Sequence, residues 1–151
     1  MAEGGEGKLV IDASVATKWI IPGEPWEEEA NMLKNAIASG SLEAYAPTLI
    51  TYELASAMSK AIRNNVLKPQ DGIDALEAVG SLGIKLIPIL WKEAAEILEV
   101  VIASGLTIYD SAYLWLSKKL GVRLITADEK LKEKGAATTE TILLGELKKQ
   151  V

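Results

Sequence analysis

The sequence predicts a single three-layer α/β domain built on a parallel sheet. Short apolar runs rich in β-branched residues alternate with longer stretches of helical periodicity, and no internal repeat, linker or low-complexity block interrupts them. Strands that alternate with helices are joined by crossovers, which gives a parallel sheet covered on both faces. A chain of 151 residues is long enough for one continuous core.

The elements follow in order. Residues 1–7 are polar and glycine-rich and read as a flexible tail ahead of a domain spanning 8–151. Lys8 to Asp12 (KLVID) is a compact β-branched run, expected as a buried strand. After a loop holding Pro22 and Gly23, a helix is expected from Pro25. Its first turn carries Glu27, Glu28 and Glu29, where the helix dipole favours negative charge. Glu43 to Ala46 reads as a second strand, and Pro47-Thr48 starts a helix running to about Asn64. Pro69 opens another, with Asp71 and Asp74 near its start. Ile84 to Ile87 is the third strand. A helix from Trp91 to Ser104 stops at Gly105, and Thr107 caps the next, which runs to about Lys119. Gly121 precedes a fourth strand, Arg123 to Thr126. A short helix from Asp128 and a fifth strand, Thr141 to Leu144, complete the chain.

Absences narrow the chemistry. The chain has no cysteine, which excludes disulfides, thiolate metal sites and cysteine nucleophiles. It has no histidine, which removes the usual general base and every imidazole metal site. Catalysis is left to carboxylates, hydroxyls, lysines, arginines, backbone groups or a bound cofactor, and oxygen-rich sites suit hard cations such as Mg²⁺ or Mn²⁺. No apolar run reaches the roughly 18 residues of a membrane span, and the N-terminus lacks the pattern of a signal peptide. A cytoplasmic protein is expected. The net charge of −5 runs against the basic surface usual in phosphate-binding proteins.

Most of the 21 acidic residues sit at helix starts or on polar faces, but four do not. Asp12 ends the run Leu9-Val10-Ile11, and Asp128 directly follows the fourth strand. Both therefore lie at carboxyl ends of strands, where open α/β sheets bind ligands. Glu53 is three residues after Ile50 and four before Ala57, on the apolar stripe Ile50, Leu54, Ala57, Ala61. Asp110 is flanked at the same spacings by Leu106, Tyr113 and Leu114. A carboxylate on a core-facing stripe is costly unless paired or bound to a cation. Ordinary structural roles exist for each: Asp12 and Asp128 as helix caps, Glu53 paired with Lys60 or Arg63, Asp110 bonded to Thr107 or Ser111. Their convergence on one sheet edge favours a shared site. Two unit charges about 4 Å apart repel by roughly 4 kcal/mol at an effective dielectric near 20. Clustered carboxylates must therefore hold protons or bind a cation. A divalent ion there would support hydrolysis of a phosphodiester.

These residues resemble the PIN-domain nucleases, and within them the VapC-type toxins of toxin–antitoxin pairs. The resemblance runs from about Lys8 to Leu144 and rests on VIDASV (10–15), TYELASAM (51–58), TIYDSAYLWLSKKLGVRLIT (107–126) and TADEKL (126–131). It implies a Rossmann-like sheet with Asp12, Glu53, Asp110 and Asp128 as catalytic, metal-binding acids, and Ser14 and Thr126 as supporting hydroxyls. It also implies RNA cleavage with Mg²⁺ or Mn²⁺, a homodimer and an antitoxin partner. Lys18, Arg63 and Lys130 are the candidate substrate-binding cations, and Trp19 is read as core or dimer packing. The competing readings on the same fold are a phospho-acceptor regulatory module and a non-catalytic interaction protein.

Overall fold

A computed structural model describes residues 7–21, 23 and 25–149. The expected tail, apart from Gly7, lies outside the described residues. Five parallel strands form one sheet in the order β3-β2-β1-β4-β5: β1 Lys8–Ile11, β2 Glu43–Pro47, β3 Lys85–Ile87, β4 Arg123–Thr126 and β5 Thr141–Leu143. Helices flank the sheet: α1 Ala13–Ile20, α2 Glu27–Ser39, α3 Leu49–Arg63, α4 Pro69–Gly80, α5 Trp91–Ser104, α6 Ile108–Leu120 and α7 Glu129–Gly135. A 3₁₀ turn, Leu144–Lys149, follows β5.

The central strand β1 buries Leu9, Val10 and Ile11 completely, as expected of a parallel strand covered on both faces. Its register pairs Ile11 with Ile125 of β4. The residues that follow each, Asp12 and Thr126, therefore emerge side by side at the carboxyl edge. Helix α6 packs against β1, β2 and β4 and is covered in turn by α5. That is why Ser111 through Ser117 are all buried: such a helix is apolar nearly all round rather than along one stripe.

Most expected elements appear within two residues of their place. The main difference is α1, for which the sequence reading has no counterpart. Val15, Thr17 and Ile20 are β-branched and depress helix propensity. The helix forms because Asp12 caps it, accepting from the Val15 N–H, and because Val15 and Ala16 are fully buried. Helix α2 starts at Glu27 rather than Pro25, after Trp26 takes a left-handed φ of 69°. On α3 the fully buried stripe is Ile50, Leu54, Met58 and Ala61, with Met58 where Ala57 was expected. Trp19 packs against the core and donates from Nε1 to the Ala30 carbonyl at 2.8 Å, fastening α1 to α2. Among the described residues, no single helix is long and apolar enough to cross a membrane.

Candidate functional site

Asp12 is the most buried acid of the four, 5% exposed at the junction of β1 and α1. The hydroxyls of Ser14 and Thr126 donate to its Oδ1 and Oδ2, each at 2.6 Å. These hydroxyls are themselves held: Ser14 accepts from the Ala127 N–H at 2.9 Å and Thr126 from the Asp128 N–H at 3.0 Å. The two strand ends are thus stitched into one polar seam. Burial raises the Asp12 carboxyl to about 6 against these hydrogen bonds, and the negative charge of Asp110 adds to the rise.

Asp128 caps α7, its Oδ1 accepting from the N–H groups of Lys130 and Leu131 at 2.9 and 3.3 Å. The capping roles open to Asp12 and Asp128 are therefore both real. Each coexists with a position at the sheet edge.

Glu53 pairs with neither Lys60 nor Arg63. It is half-buried, and its Oε1 accepts from the Tyr113 hydroxyl at 2.5 Å. Burial raises its pKa; the Tyr113 bond opposes this and Asp110 reinforces it. Asp110, in the first turn of α6, donates its backbone N–H to the Thr107 hydroxyl at 3.1 Å. Its carboxyl is raised first by burial and then by Asp128, against the lowering influence of Thr107 and Lys130.

Asp110 is consequently the hub. It couples electrostatically to Asp12, Glu53 and Asp128, so the four acids selected from sequence share one field. The donor set is hard and anionic, suited to a divalent cation with an oxygen preference. Among the described residues, however, no three carboxylates close into a ready-made cage.

The candidate cations divide. Lys130 lies near enough to lower the Asp110 pKa. Lys18 is half-exposed in the last turn of α1. Arg63 is not brought to the acids: it sits ten residues beyond Glu53 on α3, roughly 15 Å at 1.5 Å per residue. It reaches back to Ser59 Oγ at 3.2 Å and lines the groove between α3 and α4. Tyr113, read from sequence only as an apolar flank, is a polar member of the site. Its phenol is pushed far above its ordinary pKa by burial and then by Glu53. The signal for it was the i+3 spacing from Asp110, which puts both on one helix face.

Known proteins repeat this arrangement of elements. The PIN domain family model matches residues 9–137. The chain is 30% identical to Ribonuclease VapC3 of Pyrobaculum aerophilum over 131 residues, 84% of this chain and 94% of that one. The crystal structure of PAE2754 from the same organism superposes with a TM-score of 0.72 at 23% identity, covering 98% of this chain and 92% of that one. VapBC2 from Rickettsia felis, solved bound to a DNA fragment from its promoter, matches with a TM-score of 0.64 at 15% identity, covering 90% and 98%. With that family model covering most of its length and a β3-β2-β1-β4-β5 sheet shared with those structures, the chain belongs to the PIN-domain family.

Proposed function

We propose that this chain is a divalent-metal-dependent endoribonuclease, the toxin of a cytoplasmic toxin–antitoxin pair, working as a homodimer on RNA. The observation that carries the reading is the hydrogen-bonded edge of the sheet, where Thr126 ties Asp12 to the backbone of Asp128 and Tyr113 ties Glu53 to the helix that carries Asp110. It lies in a chain 30% identical across 84% of its length to a protein named a ribonuclease. Membership of the family that includes the VapC proteins supports the antitoxin partner.

Asp12, Glu53, Asp110 and Asp128 would hold one or two Mg²⁺ or Mn²⁺ ions. When bound, such an ion supplies an activated water and a clamp on the phosphate oxygens. The chain's own residues prepare the place. Ser14 and Thr126 hold both oxygens of Asp12, so this buried carboxylate loses little freedom on binding. Asp128 commits Oδ1 to its helix and leaves Oδ2 for a ligand. Lys130, beside Asp110, is suited to a non-bridging phosphate oxygen of the substrate. Because the acids carry the cation, the overall charge of −5 does not have to be reversed at the site.

The test is cleavage of transfer, ribosomal and messenger RNA and of single-stranded DNA, in Mg²⁺, in Mn²⁺ and in EDTA, with Asp110→Asn beside the native chain. Cleavage of RNA that needs the metal and is lost in Asp110→Asn is expected. Undiminished cleavage by Asp110→Asn, or in EDTA, rejects the site. Phosphorylation of an acid by a phosphodonor without cleavage would favour the regulatory-module reading instead.

A further inference from the structure

Of the four acids, three are short and held close to the backbone. Asp12 is fixed by two hydroxyls, Asp128 by two backbone N–H groups, and Asp110 stands in the first turn of its helix. Glu53 is longer, half-exposed and carries an extra rotatable bond. A glutamate of this kind has considerable rotamer freedom to lose when it binds a cation.

One group limits that freedom. Tyr113 follows Asp110 by three residues on α6 and is 2% exposed, so its hydroxyl needs a partner inside the protein. It donates to Glu53 Oε1 across 60 residues of sequence, from α6 to α3. Among the described residues this hydroxyl is the donor that holds the Glu53 carboxylate. Only Oε1 is engaged, and Oε2 is left for a ligand.

We propose that Tyr113 is a positioning residue: its hydroxyl, reaching from α6 to α3, holds Glu53 in the rotamer that completes the carboxylate set for a divalent cation. The inference rests on the metal-site reading above. Partners of metal ligands typically contribute 10–100-fold to metal affinity. The change Tyr113→Phe deletes the hydroxyl and keeps the ring that fills the core.

Mn²⁺ binding to the full chain, followed by electron paramagnetic resonance of free Mn²⁺, provides a readout that does not depend on activity. Tyr113→Phe is expected to bind Mn²⁺ about 10-fold more weakly or worse, and to need correspondingly more Mn²⁺ for half-maximal RNA cleavage, with an unchanged circular dichroism spectrum. In a Glu53→Gln background the same change should have no further effect on Mn²⁺ affinity, because no carboxylate remains to be positioned. Native Mn²⁺ affinity in Tyr113→Phe overturns the proposal, as does a loss that simply adds in the double variant. Should Tyr113→Phe fail to fold, Tyr113→Met, which also lacks the hydroxyl and fills the space with a more adaptable side chain, takes its place in both comparisons. Native affinity in Glu53→Gln, or no Mn²⁺ binding by the native chain, sinks the metal-site reading itself and this inference with it.

Discussion

The Thr126 hydroxyl donates to Asp12 Oδ2 at 2.6 Å while accepting the Asp128 backbone N–H at 3.0 Å. One side chain at the end of β4 therefore fixes an acid on the neighbouring strand and sets the loop that carries a second acid.

Replacing Thr126 by Val keeps the shape and removes both bonds. A buried carboxylate left one donor short, together with an orphaned N–H, costs about 1–3 kcal/mol. Chemical denaturation in EDTA should show this loss at pH 8. At pH 4.5 it should be smaller, because Asp12 is then mostly protonated. RNA cleavage should fall as well, by 10-fold or more. An equal loss of stability at both pH values would argue against the Asp12 link.

Asp12→Asn should stabilise the metal-free protein, with a definite pH window. The folded carboxyl titrates at about 6 and an ordinary one at 3.8, so the folded state holds its proton more tightly. Below about pH 4 both states are protonated and no penalty exists. As pH rises towards 6 the penalty grows, and above 6 it is complete, roughly 3 kcal/mol at 1.36 kcal/mol per tenfold difference in proton affinity. Asn caps helices as well as Asp does. Thermal melts in EDTA should therefore match at pH 4 and diverge in favour of the variant by pH 7. A gap independent of pH would refute the assignment.

Two of the three basic residues proposed on sequence grounds should behave differently. Lys130→Ala removes a charge beside Asp110, and should weaken RNA binding and reduce its salt dependence. Arg63→Ala should leave KM and kcat within twofold of native, since Arg63 stands at the far end of α3. Steady-state cleavage at two salt concentrations separates the two. A larger effect at Arg63 would mean that the substrate follows the α3–α4 groove.

Gly135→Ala tests the packing under α7. An added Cβ would lie 2.7 Å from Leu114 Cδ2 and 3.1 Å from Thr141 Oγ1. Leu114 is fully buried, so its neighbours in the close-packed core must absorb any shift. Overpacking of this kind costs about 1–3 kcal/mol, against up to about 1 kcal/mol gained from helix propensity. A net loss of about 1 kcal/mol in urea denaturation is expected, and a gain would show that Leu114 repacks freely.

Local pattern alone singled out the four candidate acids, because each choice depended on a short-range rule. Asp12 and Asp128 follow β-branched runs, and Glu53 and Asp110 break apolar stripes at i±3 and i±4. The sequence also specified the alternation of strands and helices, down to the bounds of α5 and β4. Its propensities obscured α1, whose eight residues are helical only because the Asp12 cap and the burial of Val15 and Ala16 outweigh its β-branched side chains. What the tertiary structure decided was partnership across long separations. Tyr113 meets Glu53 and Thr126 meets Asp12 because strand order and register bring α3, α6, β1 and β4 to one edge. The same geometry carried Arg63 away from that edge along its helix. Helical phase fixes which way a side chain faces, but only the packed sheet fixes what it faces.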